Sequence, residues 1–236
     1  MKFLILCVLL AGGAFAYKDV KAIHNIDERD FTTAILNDYI DTILPNIREF
    51  IINNDMDPMG IPDLLEGFSV KPLFITYHGE LELTKGTFTN LRSLRRDGDV
   101  TVGYLNQLLK VSGDFGMDEV VIKYDYLAKI MDIGPTGGVI GTLNKASVFA
   151  EFLIDFTNNE IHLQNFYMHS IGSLKVRLTG NILTDFLANA IIGVVTTLFK
   201  GTIMSIVESN IKKALEDYLS SINSAGDSAR FLELLN

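Results

Sequence analysis

The sequence predicts an α+β fold in which a curled antiparallel sheet wraps a long C-terminal helix, and three observations predict it. Apolar residues recur at helical spacing at both ends of the chain. Between those ends the period falls to two in a run of consecutive segments. The last helical stretch is too apolar to stand in water and must be covered. Strands that follow one another, rather than alternating with helices, disfavour a parallel α/β sheet and favour segregated layers.

At the start, Lys2 precedes the apolar run Phe3 to Leu10, and Ala14-Phe15-Ala16 suits signal-peptidase cleavage before Tyr17. The apolar run is shorter than the roughly 20 residues a membrane span needs. Residues 1–16 are therefore predicted to be a signal peptide, residues 17–236 a single domain, and the mature protein secreted and extracellular. Cleavage removes Cys7, the one cysteine, so the core must hold the domain without disulfides.

Phe31, Ile35, Tyr39, Ile43, Ile47 and Phe50 recur at three and four residues and predict an amphipathic helix, with Asp27 or Asp30 placed to cap it. Pro45 is expected to kink that helix or split it near Leu44. Asn53 to Asp63 reads as a turn-rich connector with Pro58 and Pro62. Alternation then begins in Leu73, Ile75, Tyr77, Leu81 and Leu83. It returns in Val120 to Tyr126, Val148 to Phe156 and Leu174 to Leu178, and more weakly around Val100 to Tyr104 and Ile161 to Leu163. Turn signals fall at Arg96-Asp97-Gly98-Asp99, Gly134 to Gly138 and Asn158-Asn159. The count is roughly five to seven strands.

Leu183 to Ile222 reads as one helical stretch, and Phe186 to Phe199 within it carries no charge. Those residues reach only about 21 Å against a hydrocarbon core of about 30 Å, which predicts a buried helix rather than a span. Asp185, Asn189, Thr196 and Lys200 form a polar stripe in its first half. Ile203, Val207, Ile211, Ala214 and Tyr218 put apolar residues on nearly the same side in the second. A bend, a break or a change of packing partners is expected near Gly201.

The net charge of −9 repels phosphate backbones and anionic lipid surfaces, so nucleic acid is not an expected partner. Arg92, Arg95 and Arg96 read as a solvated turn rather than an anion site. No nucleophile elbow, zinc-binding helix or phosphate loop occurs. His24, His78, His162 and His169 are scattered, so neither a metal nor another cofactor is expected. Glu80 and Glu82 share a strand face that reads as solvated. Asn53, Asp55 and Asp57 imitate the opening of a calcium loop, but Pro58 replaces its glycine and Leu64 stands where its glutamate belongs.

What remains is an apolar inventory suited to holding a hydrophobic ligand: a lipid, a fatty acid or a terpenoid-like molecule. Phe31, Ile35, Ile43, Ile47, Ile75, Tyr77, Ile122, Tyr124, Phe152, Ile154, Ile191, Val195 and Leu198 are the candidates for the inner surface. Tyr77, Tyr124 and Asn189 would give specificity, and Leu183 to Phe199 would supply the ligand wall. The expected protein is a non-enzymatic carrier with its ligand in a groove between sheet and helices. Two alternatives stay open. One is a protein that acts through its outer surface on a partner or, weakly, on a membrane. The other is a hydrolase whose cue would be a buried Ser or carboxylate beside a histidine.

Met56-Asp57-Pro58-Met59-Gly60-Ile61-Pro62-Asp63 is followed by Gly79-Glu80-Leu81, by LRSLRRDGD at Leu91 to Asp99, and by Val120 to Tyr126. In order and spacing these resemble the group 7 mite allergens and their insect relatives. That family is similar in fold to the juvenile-hormone-binding and takeout proteins and to one half of the bactericidal/permeability-increasing proteins. The resemblance implies a super-roll, a highly curved antiparallel sheet around a long C-terminal helix with an N-terminal helix alongside, enclosing a site for apolar molecules. It supplies no catalytic residues. The juvenile-hormone-binding and takeout proteins carry a disulfide near the mature N-terminus, whereas this chain has no cysteine there, which sets it nearer the mite-allergen branch.

Overall fold

The computed structural model describes residues 32–71, 74–130, 134–180 and 185–224. Nine strands form one antiparallel sheet: β1 Thr32–Ile35, β2 Met59–Ile61, β3 Leu64–Val70, β4 Tyr77–Thr89, β5 Arg95–Leu105, β6 Leu108–Ile130, β7 Thr136–Asp155, β8 Glu160–Ile171 and β9 Leu174–Leu178. Helix α1 is Asn37–Asn53, and the C-terminal helix runs through α2 (Asp185–Leu198), a π turn (Phe199–Ile203) and α3 (Met204–Ser224).

Two long strands are the spine. β6 and β7 pair from Leu108↔Asp155 to Leu127↔Thr136. At one end β6 also pairs β5, which carries β1, while β7 pairs β8. At the other end β6 pairs β4, which carries β2 and β3, and β7 pairs β9. Helix α2 touches both β3 and β9, the outermost strands at its end, so the sheet must curl around it. At the opposite end α1 packs on β5 and α3 on β8. The two helices meet where the rings of Phe50 and Tyr218 lie 4.6 Å apart. The result is an α+β super-roll. Register shifts at Thr84/Thr87 and Arg96/Val100 are bulges of the kind that bend a strand and let a sheet coil.

Alternation explains which faces turn inward. Val120, Ile122, Tyr124, Tyr126 and Ala128 are buried, while Lys123 and Asp125 between them face water. They meet Leu187, Ile191, Val195 and Leu198, which recur at three and four residues along α2. By length and composition the Asp185–Ser224 helix contains a window apolar enough to cross a bilayer. Here its apolar face is covered by the sheet: Ile191, Val195, Ile203 and Val207 have no accessible surface. Gly141 on β7 is required at this contact, because a Cβ there would run into the ring of Phe199.

Several expectations need correction. Thr32–Ile35 is a strand paired with β5, not the first turn of the helix, and Ile35 is 61% exposed. The turn into α1 is set by Asn37, whose Oδ1 accepts the Val100 N–H at 2.9 Å and whose Nδ2 donates to Asp99 at 2.7 Å. Asp27, Asp30 and Phe31 lie outside the described residues, as do residues 1–16, Leu73 and Leu183. Pro45 does not split α1, which runs unbroken through it. The carbonyl of Asp41, deprived of its helical partner, belongs to the exposed side, where water can serve it. Ile75 belongs to the connector between β3 and β4 and is 61% exposed. Arg96 to Asp99 is a bulge within β5, with Gly98 at φ +120, rather than a turn between strands. Near Gly201 the helix does break its regular path: the π turn spans Phe199–Ile203, and packing passes from β3 and β9 to β8 across it.

Candidate functional site

Between α1, α3 and the sheet lies an apolar cavity of about 120 Å³, partly open to the surface. Helix α1 contributes Ile40, Ile47, Phe50 and Ile51, and α3 contributes Ile211 and Leu215, which stand one turn apart. From β6 come Val111, Gly113, Phe115 and Met117, every second residue; from β7 come Val148, Ala150 and Phe152 in the same alternation. Val100, Phe166, Met56, Leu91 and Leu94 complete the apolar wall. Ser112 is the one polar residue in the lining, but in the alternation of β6 its side chain turns to the outer face, where its hydroxyl lies 3.1 Å from that of the exposed Thr101. Gly113 and Ala150 are cross-strand partners, but Val100 closes over Gly113, where a Cβ would meet its Cγ2 at 2.6 Å, so Ala150 is the small side chain that faces the chamber. The small size of Ala150 leaves room where larger neighbours fill the rest of the inner face.

Of the residues read from the sequence as inner surface, Ile47 and Phe152 line this cavity. Ile43 packs beside it with Ile40, Leu44 and Val100. Ile154 is buried with Leu109, Ile161 and Leu219. Ile122, Tyr124, Ile191, Val195 and Leu198 belong to the core at the α2 end, where half-buried Tyr77 packs against them. Ile35 and Ile75 are exposed, Asn189 is on the outer side of α2, and Phe31 lies outside the described residues. The closing helix thus lines this chamber from its second half, α3, rather than from Leu183 to Phe199. A small residue at an inward strand position, Ala150, is the signal in the sequence that points to this space.

Tyr124 is satisfied within the core: its hydroxyl donates to the Pro62 carbonyl at 2.9 Å, and its ring lies 6.2 Å from that of Phe199. Burial, with a smaller push from Asp63, raises its pKa to about 12, so it stays neutral. The Asp57 carboxylate accepts the N–H groups of Asn90 at 2.8 Å and Arg92 at 3.0 Å, clamping the Leu91–Ser93 turn beside the chamber.

The three arginines near this turn are built into ion pairs. Arg95 binds Asp118 through Nε at 2.8 Å and Nη2 at 3.1 Å, and reaches Asp97 at 3.2 Å. Arg96 holds Asp41 at 2.7 Å, and Arg92 lies 3.9 Å from Asp57. Asp97 also accepts from Lys145 at 2.7 Å and from the buried Ser147 at 3.0 Å. Lys145 foremost, helped by Ser147 and Arg95 against the cost of burial, draws the Asp97 pKa down to about 2. The Arg95 pKa is raised, chiefly by Asp118. The solvated-turn reading of these arginines gives way to a structural network.

His162 and His169 pair on the surface with Glu160 and Asp114 at 3.1 Å and 2.9 Å. His78 Nδ1 lies 2.9 Å from Ser69 Oγ, with both residues in the open. Among the described residues no group of three or more His, Cys, Asp or Glu side chains is gathered to hold a metal ion.

The curled sheet and the helix it encloses define a super-roll protein, here with an apolar cavity between sheet and helices. The chain belongs to the Group 7 allergen family, whose family model matches residues 35–219. It is 26% identical to mite allergen Der f 7 of Dermatophagoides farinae over 205 residues, 86% of this chain and 91% of that one. With Der p 7 of Dermatophagoides pteronyssinus the identity is 24% over 215 residues, 89% and 96% of the two chains. The crystal structure of Takeout 1 from Epiphyas postvittana matches with a TM-score of 0.50 at 13% identity. That likeness covers 78% of this chain and 90% of the other, and it is one of fold.

Proposed function

We propose that this protein is a secreted, single-domain, non-enzymatic binder of a hydrophobic ligand, held in the chamber between α1, α3 and the sheet. The observation that carries this reading is the cavity itself, about 120 Å³ with an almost wholly apolar wall. An apolar void of about 150 Å³ stays dry and admits benzene, so a chamber of this size takes a segment of an apolar chain. Met56 and Met117 in the wall can re-pack around a longer one. Residues 1–16, with the form of a signal peptide, support export.

Native mass spectrometry of the protein purified from its own source, followed by lipid extraction, tests the reading. Bound lipid is expected. Repeated absence of lipid, together with no binding of a fluorescent fatty-acid probe, would sink it.

A second reading, action at a membrane through the outer surface, draws on the tip between β3 and β4. There Phe74 is 93% exposed beside Ile75. Co-sedimentation with neutral phosphatidylcholine liposomes, lost in Phe74→Ser, would favour it; no co-sedimentation would remove it.

A further inference from the structure

We infer that the chamber takes the tail of a single-chain carboxylate amphiphile whose headgroup is held by Arg48. The inference rests on the carrier reading above and names its ligand class. Arg48 follows Ile47 on α1 and, at about 100° per residue, flanks the stripe that lines the chamber. Its side chain is partly buried, and its Nε donates to the Leu94 carbonyl at 2.8 Å. That bond fixes the guanidinium against the turn whose Leu94 side chain forms part of the wall. Ile47 and Leu94 are themselves only partly buried, so the wall reaches the surface where Arg48 stands.

Charge bookkeeping singles this residue out. Among the described residues, the cations without a carboxylate partner are Arg48, Lys71, Lys123, Lys175, Arg177 and Lys200. All of these except Arg48, which is partly buried, are exposed residues. The nearby Arg95 and Arg96 are committed to Asp118, Asp97 and Asp41. Among the described residues the Arg48 Nε has its acceptor in the Leu94 carbonyl, while Nη1 and Nη2 have none, so they can meet an anion at the rim. Their planar fork fits a carboxylate. The lining offers almost no polar atoms, so the charged end of a ligand must stay at the rim while its chain goes inside.

Calorimetric titration of the full mature protein at pH 7.5 with decanoate and with 1-decanol separates the terms. Wild type is expected to bind decanoate about 10-fold or more tightly than 1-decanol, the scale of one charge-assisted hydrogen bond. Arg48→Gln keeps a donor for the Leu94 carbonyl. It is expected to lose that preference while binding 1-decanol within about 2-fold of wild type, which also reports that it is folded. Arg48→Lys is expected to restore part of the preference. Equal binding of the two ligands by wild type, or an unchanged preference in Arg48→Gln, overturns the anchor and leaves the carrier reading standing. Binding of neither ligand by wild type overturns both.

Discussion

Ala150→Leu is expected to fill much of the chamber, stabilise the protein and weaken ligand binding together. Ala150 is 7% exposed on β7, its side chain faces the cavity, and Val100, which covers its cross-strand partner Gly113, is the neighbour a larger side chain would press against. An unfilled void of 120 Å³ forgoes about 3 kcal/mol at roughly 24 cal/mol per Å³. Leucine adds three carbons, worth at most about 2.4 kcal/mol at about 0.8 each. Partial clash with the remaining wall returns some of this, since overpacking a filled core costs about 1–3 kcal/mol. The void decides the sign, and a net gain of about 1–2 kcal/mol is expected, or roughly 2–8 °C in Tm for a domain of this size. The protein contains no tryptophan, so unfolding in urea is best followed by circular dichroism, and a fluorescent fatty-acid probe reads binding against little background. Probe affinity should fall at least about 10-fold, the loss of roughly two methylenes of burial. A variant destabilised by more than about 1 kcal/mol that still binds the probe like wild type would refute both the void and its role.

Ile191→Ala provides the opposite case: Ile191 is fully buried under the sheet but does not line the chamber, so about 2–5 kcal/mol of stability should be lost in urea with probe affinity unchanged. Reduced affinity in a folded variant would return the ligand wall to α2. Asp57→Ala strands the amides of Asn90 and Arg92 and should cost about 1–3 kcal/mol by the same assay, with Asp57→Asn recovering part of it. Asp97 has a folded pKa near 2, below its ordinary 3.8, so its contribution is complete above pH 4 and is lost as pH falls through 2. The full shift would be worth about 2 kcal/mol, but with the side chain 25% exposed about 1 is expected after screening. Stability measured from pH 5 to pH 2 should therefore fall less steeply in Asp97→Asn, and parallel curves would count against the network.

Much of the fold was legible because period and burial are coupled by geometry. The alternation of Val120 to Tyr126 and of Val148 to Ile154 does mark the inner face of the two spine strands. The apolar spacing of Ile191, Val195 and Leu198 does mark the buried side of α2. What failed was local sequence whose partners are distant. Thr32–Ile35 carries helical spacing, yet its backbone is claimed by β5, some 70 residues away in the chain, and tertiary pairing outranks a short periodic run. Arg96 to Asp99 has turn composition, but Asp97 is tied to Lys145 and Ser147 on β7, which keeps the segment in the sheet as a bulge.

The site was less legible for a different reason. Periodicity reports which residues face inward; it does not report whether the inward space is full. Ile122, Tyr124, Ile191 and Val195 face inward and fill their end of the roll, whereas Ile47 and Phe152 face inward near Ala150, where the volume is short. The most recognisable residues lie at the edge of this problem. Asp57 clamps the Leu91–Ser93 turn, Pro62 accepts the Tyr124 hydroxyl, and Asp63 accepts the Lys85 N–H at 2.9 Å, where φ is +55. The segment Met56 to Asp63 thus holds β2, β4 and the turn together, and of its residues only Met56 touches the chamber. Frame and wall are built from largely different side chains, so a change in the wall at Ala150 or Phe152 leaves the bonds of that frame in place.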